Sequence, residues 1–342
     1  LYPPGKDGRI PIIAVTGTNG KTTTTRLIAH IIKNNGSRVG FTTSDGIYIQ
    51  NTMLTKCDTT GPISAEFILK DPTVEFAVLE TARGGILRSG LGFGQCDIGV
   101  LTNIKEDHLG MNDIHNLKDL TKVKRVVLDS VKKSGWSVLN AEDEYSMRII
   151  NDLPSNVAIF SLDENNEYIK KFAKEGRTTC VYEEGYVTIK KGDWKIRIGK
   201  VKDFPITMEG KAKFMIDNVL AASLACYLYG FGIEDISNSL RTFIPSAQLT
   251  PGRLNVFKFK NFKVLIDFAH NPSGYEAIED YLKNVESTKK IGIISGVGDR
   301  RDNDIRECGK IAGRMFDHII IRNEKHLRGR TEDEINGLII EG

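Results

Sequence analysis

The stretch VTGTNGKTTTT, from Val15 to Thr25, decides the fold. The apolar run Ile10–Val15 leads into it, and the amphipathic pattern Thr22–Lys33 follows it. A buried strand, a glycine-rich turn and a helix are therefore predicted in that order. This succession is typical of a phosphate-binding loop in an α/β protein.

The residues of the turn suit a phosphate and a cation. Gly17 and Gly20 let backbone amides approach phosphate oxygens, and the N-terminus of the following helix adds partial positive charge. The amine of Lys21 can reach terminal phosphates, and the hydroxyl of Thr22 can bind magnesium. The general loop pattern has glycine six residues before the lysine, where this chain has Val15. A structural glycine turn that binds nothing is the alternative.

The chain continues to alternate between strands and helices. Further strands are predicted at Arg38–Thr42, Glu75–Glu80, Asp97–Thr102 and Trp136–Leu139, with a helix at Asn116–Lys133. Ile- and Val-rich strands separated by helices predict a mostly parallel sheet that is buried on both faces.

Beyond residue 178 the pattern changes. Short antiparallel strands are predicted at Val181–Glu183, Val187–Lys190 and Lys195–Ile198. A helix at Lys211–Tyr229 follows, and prolines interrupt the pattern near residue 250. The last predicted strands are Leu254–Lys260, Val264–Phe268, Ile291–Ser295 and His318–Ile321. We therefore expect two domains, residues 1–249 and 250–342.

The composition argues against several classes of function. A formal net charge of +3 over 342 residues does not predict a nucleic-acid partner. The five cysteines are scattered without a CxxC pair, which disfavours a zinc site or disulfide framework and fits a cytoplasmic protein. The sequence has no stretch of membrane-spanning length and no signal peptide, so we expect no membrane partner. Because the chain starts at Leu1, we expect a piece of a longer protein.

Two residues at strand ends could bind a metal beside the glycine turn. Glu80 ends the apolar run FAVLE, and His108 follows the strand Asp97–Thr102. Both should lie at the carboxyl edge of the sheet, where open α/β proteins bind ligands. A solvated strand end and a loop histidine are the alternatives, but their place beside a phosphate loop favours metal binding or catalysis.

With these residues the sequence resembles the Mur ligase superfamily of ATP-dependent amide ligases. Its phosphate loop, G-T/S-N-G-K-T/S, matches GTNGKT at Gly17–Thr22, which explains the departure from the general pattern. The resemblance implies ATP and Mg²⁺ as cofactors, with Thr22, Glu80 and His108 as magnesium ligands. The resemblance also implies that Arg253, in the stretch TPGRLNVF, reaches the γ-phosphate.

The resemblance also implies a set of nucleotide-binding residues. These are Gly17, Thr18, Asn19, Gly20, Lys21, Thr22, Thr23, Asn218, Arg253, Asp267, His270 and Asn271. Asn218 matches an adenine-side asparagine, although the family's neighbouring histidine is Asp217 here. Asp267 could be the base that deprotonates the incoming amine, or a carboxylate that holds the loop after it. For His270, orienting the loop or the nucleotide is favoured over proton abstraction.

Within the superfamily, LETARGGILRSGLGF (Leu79–Phe93) and LRGR (Leu327–Arg330) resemble the Mur-ligase-like module of cyanophycin synthetases. This implies a P-loop central domain with a mostly parallel sheet and a small antiparallel element, then a shortened Rossmann-like C-terminal domain. It also implies transfer of arginine onto the aspartate side chains of a poly-aspartate chain. The implied partners are an ATP-grasp module and further copies of the chain in a homo-oligomer.

The implied chemistry is phosphorylation of a carboxylate to an acyl phosphate, which an amine then attacks. Lys21, Arg253 and magnesium would supply the electrostatic help that two reacting anions need. Many Mur ligases also use a carbamylated lysine to support a second metal, and the family spacing favours Lys124 over Lys122. A merely solvated lysine is the alternative. The predicted catalytic set is Lys21, Glu80, His108, Lys124, Arg253 and Asp267.

The predicted substrate-binding residues are Thr59, Thr60, Arg83, Arg88, Asp299 and Arg300. The two arginines in the glycine-rich stretch could bind a polyanionic chain, and a tight turn with exposed arginines is the alternative. For the threonines, capping of the helix after Pro62 is the alternative. A guanidinium substrate calls for a carboxylate, which Asp299, Asp302 or Glu324 could supply. A helix cap with surface charges is the alternative for that group.

Other functions remain open at this point. Another Mur-type ligase, with a muramyl-peptide or folate-like acceptor, is the nearest alternative. A catalytically silent ATP-binding scaffold is a second. A P-loop motor or kinase would leave Arg253 and the DFAHNP motif without a role.

Overall fold

The computed structural model describes residues 8–111, 114–324 and 327–342, and it confirms the predicted α/β class. The described residues form fifteen strands, named in chain order. They are β1 Ile12–Thr16, β2 Val39–Thr43, β3 Gly46–Ile49, β4 Thr52–Thr55, β5 Phe76–Glu80, β6 Cys96–Leu101, β7 Val131–Asn140, β8 Asn156–Ser161, β9 Thr178–Glu183, β10 Tyr186–Lys191, β11 Trp194–Lys200, β12 Asn255–Lys258, β13 Lys263–Ile266, β14 Ile291–Ile294 and β15 His318–Ile321.

Eleven α-helices occur in the same described ranges. They are α1 Lys21–Asn34, α2 Pro62–Lys70, α3 Arg83–Ser89, α4 Leu117–Asp129, α5 Glu144–Arg148, α6 Glu167–Lys174, α7 Lys213–Tyr229, α8 Ile233–Thr242, α9 Pro272–Lys283, α10 Asp302–Met315 and α11 Glu332–Glu341. None of these helices combines the length and the apolar character that crossing a bilayer requires.

Eleven strands form one sheet in the order β11-β10-β9-β8-β7-β6-β1-β5-β2-β3-β4. The strand β1 lies inside it and pairs in parallel with both β5 and β6. The register sets Val15 opposite Glu80 and Thr16 opposite Leu101. The carboxyl ends of these three strands therefore meet at one edge, beside the glycine turn, as the sequence predicted.

Helices cover both faces of the sheet at β1. Ile13 and Val15 face a core shared with α1 and α7, whereas Ile12 and Ala14 face a second core that includes residues of α4. Most of α7 is apolar and buried, so it runs through the first core rather than over the surface. Burying one Ile or Leu side chain contributes about 1.5–3 kcal/mol, so these two cores hold the strand and the turn after it firmly.

The structure differs from the predicted elements in three places. The antiparallel strands are confirmed, but they belong to the main sheet because β9 pairs in parallel with β8. The strand β8 and the hairpin β3–β4 were not predicted. The helix predicted to reach Lys133 ends at Asp129, and the next strand begins at Val131. The strand β7 pairs with β6, and the Lys132 ammonium pairs with Asp97 of β6 at 2.7 Å.

The strands after residue 254 form two small sheets. One is the antiparallel hairpin β12–β13, and the other is the parallel pair β14–β15. The helices α9 and α11 both pack against α10, and α9 also contacts α7 of the preceding part. The segments that precede α9 and α10 therefore face the carboxyl edge of the large sheet.

Candidate functional site

The glycine turn has a backbone that only glycine fits at two positions. Gly17 has φ 146°, and a Cβ there would lie 1.9 Å from the Thr102 Oγ1. Gly20 has φ 87°, and a Cβ there would lie 2.3 Å from the Asn218 Oδ1. The Thr18 amide donates to the Asn103 carbonyl at 2.9 Å, which anchors the turn to the end of β6. The first turn of α1 has N–H groups without intrahelical acceptors, so it offers donors to an anion.

The side chains that begin α1 point back toward this turn. The Lys21 Nζ donates to the Thr18 carbonyl at 2.8 Å. The Thr22 Oγ1 lies 3.1 Å from the Ser44 Oγ, while the next residue, Thr23, is buried. One ammonium and two hydroxyls therefore surround the start of the helix.

Glu80 lies beside these hydroxyls at the end of β5. Its carboxylate is buried and accepts a hydrogen bond from the Ser44 amide at 3.1 Å. Burial raises the pKa of Glu80, while the charges of Lys21 and Arg253 and a hydrogen bond from Thr22 oppose the rise. The two cations therefore stabilise the ionised form of a carboxyl group whose burial makes ionisation costly.

Arg253 reaches the same place from beyond residue 250. Its Nη2 lies 3.4 Å from the Thr22 Oγ1 and 3.3 Å from the Ser44 Oγ. The guanidinium stacks on the Phe268 ring, 4.5 Å from the centroid, which fixes its orientation. The structure therefore brings together Lys21, Thr22, Glu80 and Arg253 beside the glycine turn.

Ser44 was missed by the sequence reasoning. It follows β2 in the stretch FTTSDG, and β2 neighbours β5 in parallel. A hydroxyl residue directly after a strand of the same sheet was the signal that could have identified it.

The oxygen atoms around Thr22 suit magnesium. A carboxylate from Glu80 and hydroxyls from Thr22 and Ser44 are hard donors, which magnesium prefers. Within the described residues no group of three or more His, Cys, Asp or Glu side chains could hold a metal by itself. Magnesium needs no such cage, since it commonly takes one or two carboxylates together with substrate phosphates. The donor set therefore fits a cation that is shared with a nucleotide.

The structure separates the two candidate lysines of α4. The Lys124 side chain is buried, and its Nζ donates to the Gly17 carbonyl at 2.6 Å. Burial, and then the charge of Lys21, lowers the pKa of Lys124 well below its ordinary value. Lys122 is exposed and pairs with Asp119 at 3.3 Å. Of the two lysines, Lys124 thus combines contact with the turn and a lowered pKa, which favours the uncharged amine that carbamylation requires.

His108 belongs to a second cluster, which the two parts of the chain share. Its Nδ1 lies 3.0 Å from the Arg300 Nη1, and the Arg300 Nε lies 3.0 Å from the Asp107 Oδ1. Burial lowers the pKa of His108 to about 4, so the ring is neutral at pH 7. Burial alone would raise the pKa of Asp107, but a hydrogen bond from His270 and the charge of Arg300 hold it well below its ordinary value. The charge of Asp107 also acts on Lys124, which therefore lies between the two clusters.

The predicted nucleotide-binding residues lie along the same junction. Asn218 is buried and accepts a hydrogen bond from the Thr24 Oγ1 at 3.3 Å. In the Asn19 side chain, Oδ1 accepts a hydrogen bond from the Asn271 Nδ2 at 3.2 Å, and Nδ2 donates one to the Ser273 Oγ at 2.8 Å. The turn is thus bonded directly to the start of α9.

Two carboxylates near the junction differ in how they are satisfied. Asp267 accepts from the backbone amides of Leu254 and Ala269, both at 2.8 Å, and burial raises its pKa. Those bonds support its interpretation as the residue that holds the following loop. Burial also raises the pKa of Asp217 well above its ordinary value, and the Asp217 Oδ1 has no hydrogen-bond partner among the described residues.

The predicted residues on the acceptor side have mostly local partners. The Thr59 Oγ1 donates to the Thr43 carbonyl at 2.7 Å, and the Thr60 Oγ1 donates to Asp58 at 2.7 Å. The Arg83 Nη1 donates to the carbonyl of His108 at 2.9 Å, so Arg83 supports the histidine loop.

The carboxylates considered for a guanidinium all lie against arginines of the chain itself. Asp299 pairs with Arg300 at 2.6 Å and with Arg328 at 3.3 Å. Asp302 pairs with Arg330 at 2.8 Å, and Glu324 pairs with Arg322. Of the three carboxylates, that of Asp299 is the most buried, with 9% of its side chain exposed, and it is also 3.9 Å from the His108 Nδ1. Arg88 is exposed on α3.

Comparison with known families matches almost the whole of this structure. The profile of the Mur ligase middle domain matches residues 15–226, and that described as "Mur ligase, glutamate ligase domain" matches residues 252–340. Over all 342 residues the chain is 49% identical to a cyanophycin synthetase of Geminocystis herdmanii, of which it covers 39%. It is 25% identical over 339 residues to a UDP-N-acetylmuramoyl-L-alanyl-D-glutamate–2,6-diaminopimelate ligase of Caldanaerobacter subterraneus, covering 98% of this chain and 66% of that protein. The chain spans about two-fifths of the length of the cyanophycin synthetases that it matches.

Solved structures show the same fold. A bifunctional folylpolyglutamate synthase/dihydrofolate synthase with Mn, AMPPNP and L-glutamate bound is 17% identical, with a TM-score of 0.71 over 97% of this chain and 80% of that one. A UDP-N-acetylmuramoyl-L-alanyl-D-glutamate–2,6-diaminopimelate ligase is 21% identical, with a TM-score of 0.62 over 97% of this chain and 66% of that one. At these identities the likeness concerns the fold alone.

Proposed function

Because the chain belongs to the Mur ligase family, we propose that it uses ATP to join a carboxylate to an amine. The supporting observation is the meeting of Lys21, Glu80 and Arg253 beside the glycine turn, from three distant parts of the chain.

The first step would be phosphorylation of the acceptor carboxylate. The amides at the start of α1 bind the phosphates, and Lys21 exchanges its bond to the Thr18 carbonyl for a bond to a phosphate oxygen. Arg253 lies on the opposite side and stabilises the negative charge that builds up on the transferred group. Thr22 and Glu80 would hold one magnesium ion and His108 a second, and magnesium when bound neutralises charge on the phosphates.

The second step would be attack of the amine on the acyl phosphate. His108 and Lys124 lie between the turn and the C-terminal part, and His108 with a carbamylated Lys124 would hold the acceptor carboxylate there. Asp267 keeps the loop of His270 and Asn271 in place through its two backbone bonds. Asn218 and Asn271 would bind the nucleotide on the side away from the acceptor.

The substrates follow from the similarity to cyanophycin synthetases. We propose that the acceptor is an aspartate side chain of a poly-aspartate chain and that the amine is that of arginine. Arg83 and Arg88 would face the polyanion, while Asp299 and Arg300 line the side where arginine enters. Thr59 and Thr60 would shape the acceptor loop.

The surrounding organisation is proposed on the same basis. Residues 1–249 would form the ATP-binding domain, and residues 250–342 the C-terminal domain. We further propose that the module acts in the cytoplasm, as a homo-oligomer, together with an ATP-grasp module that makes the poly-aspartate backbone.

One assay tests the proposal. The protein is mixed with ATP, magnesium, a poly-aspartate primer and each amino acid in turn, and phosphate release is measured. We expect release that requires both primer and arginine, and its loss in Lys21→Met but not in Lys33→Met on the same helix. Release with a muramyl-peptide or folate-like acceptor instead would indicate another Mur-type activity. ATP binding without turnover would indicate a scaffold, and turnover without an amine would rule out a ligase.

A further inference from the structure

Arg300 is an almost fully buried arginine that links the two parts of the chain. Only 5% of its side chain is exposed. Its Nη1 lies 3.0 Å from the His108 Nδ1 and 2.6 Å from the Asp299 Oδ1, and its Nε lies 3.0 Å from the Asp107 Oδ1. The guanidinium therefore pairs with two carboxylates and occupies one nitrogen of an imidazole.

The bond to His108 fixes the tautomer of that ring. A guanidinium can only donate hydrogen bonds, so the Nδ1 of His108 accepts. The neutral ring then carries its proton on Nε2, which lies 3.8 Å from the Asp107 Oδ2. In this arrangement one ring nitrogen is occupied by Arg300, and the other has a proton in place of its lone pair.

A histidine binds a metal through the lone pair of a neutral ring nitrogen. We infer that Arg300 and a divalent cation are alternative partners of His108, so that Arg300 withdraws from the ring when the cation binds there. This inference rests on the proposed metal role of His108. It makes Arg300 a positioning residue that acts through His108.

The exchange keeps a cation beside the carboxylates of the cluster. Asp107 and Asp299 are both largely buried, and buried carboxylates need a cation beside them. Arg300 supplies that charge in the present arrangement, and a divalent cation at His108 would supply it after the exchange. The two states thus differ in which cation faces the carboxylates.

The exchange also couples the metal to the contact between the two parts. Arg300 follows β14 in the C-terminal part, whereas His108 follows β6 in the large sheet. The neighbouring Arg301 makes a separate link to Glu106 and Asp304 without touching the histidine. Arg301, whose side chain is 38% exposed, therefore provides a control for the loss of an arginine ion pair at the same junction.

A double-mutant cycle tests the inference. The affinity for Mn²⁺ is measured by electron paramagnetic resonance in the protein without nucleotide, with and without His108→Gln, in the wild-type, Arg300→Met and Arg301→Met backgrounds. We expect His108→Gln to weaken Mn²⁺ binding on the order of tenfold in Arg300→Met and much less in the other two backgrounds. The cycle removes the general gain in affinity that follows from deleting a positive charge.

Two outcomes would overturn the inference, and they differ in meaning. An equal, measurable cost of His108→Gln in all backgrounds shows that Arg300 does not compete, although the metal role of His108 stands. No cost in any background removes the proposed metal role as well.

A second measurement needs no change at Arg300. Nitrogen NMR of the histidines, assigned with His108→Gln, should show an Nε2-protonated ring in the metal-free protein and a shifted Nδ1 after addition of Zn²⁺. A metal-free ring protonated on Nδ1 contradicts the inference.

Discussion

The Arg253 Nη2 lies 3.4 Å from the Thr22 Oγ1, although 231 residues separate the two along the chain. This contact joins the segment after residue 250 to the first turn of α1. A cation from one part thereby faces the phosphate-binding loop of the other, so a nucleotide bound there would touch both. The consequences can be measured.

Replacing Arg253 should slow the reaction more than it weakens nucleotide binding. Arg253→Met removes a positive charge that acts on the transferred phosphate, and loss of one such donor costs about a hundredfold to a thousandfold in kcat. We expect ATP affinity, measured by calorimetry, to fall far less. The control is Arg241→Met, which removes an exposed arginine paired with Asp203 at 4.0 Å. Equal losses in kcat and affinity would contradict the assigned role.

Activity should depend on carbon dioxide, because Lys124 is proposed to be carbamylated. Burial lowers the pKa of Lys124 and so favours the uncharged amine that forms a carbamate, and activity should therefore fall in buffers free of bicarbonate and return when bicarbonate is added. Lys124→Ala should lower activity by about a hundredfold, and a small carboxylic acid should restore part of it. Lys122→Ala on the same helix should change little, because Lys122 is exposed. Activity that is indifferent to bicarbonate would refute carbamylation.

Alanine substitutions at two glycines with nearly equal φ separate the cost of backbone strain from the cost of a steric clash. Gly20 has φ 87°, and a Cβ added there would collide with the Asn218 side chain. Gly36 has φ 90°, but a Cβ added there would have no atom within 4 Å. Gly36→Ala should cost about 1 kcal/mol of stability and leave ATP binding intact. Gly20→Ala should also displace the turn and weaken ATP binding by about tenfold or more. Thermal unfolding and calorimetry measure the two effects, and equal ATP affinities in both variants would contradict this account of the turn.

In the ligand-free protein, Glu80 should lower the free energy of unfolding as the pH rises. Because burial raises its pKa in the folded state, that state binds more protons than the unfolded one, and stability falls as pH rises from about the ordinary value of 4.5 to the folded value. Glu80→Gln should therefore unfold at a higher temperature than wild type at pH 7, with a difference that vanishes toward pH 4. It should also lose the stabilisation that magnesium and ATP provide together.

The control for this prediction is Glu66→Gln. Glu66 lies on the surface and pairs with Lys70 at 2.8 Å, so its replacement should change stability by about 0.5 kcal/mol at most. If Glu80→Gln is less stable than wild type at pH 7, burial is not the dominant effect at this carboxylate.

The sequence predicted those parts of the site that depend on local pattern. The strand before Gly17 and the helix after Gly20 follow from a few adjacent residues, and Glu80 follows from its place at a strand end. The end of α4 was predicted wrongly because Lys132 and Lys133 continue an amphipathic helical pattern. Pairing of β7 with β6, which no local pattern reveals, places them in a strand.

Other contacts could be found only from the folded chain. Ser44 meets Glu80 because β2 and β5 are neighbours, although 36 residues separate them. The pairing of Arg300 with His108 spans 192 residues and depends on how α10 approaches the large sheet. For Lys122 and Lys124, the family spacing favoured Lys124, whereas burial distinguishes the two directly.

The most direct measurement follows an oxygen atom. Poly-aspartate whose side-chain carboxylates carry the heavy oxygen isotope is incubated with the protein, ATP, magnesium and arginine, and the released phosphate is analysed by mass spectrometry. Transfer of the γ-phosphoryl group to the carboxylate predicts one heavy oxygen in the phosphate for each amide bond formed. Phosphate whose new oxygen comes only from water would show that ATP is hydrolysed without activating the acceptor, and the assignment as a ligase would be wrong.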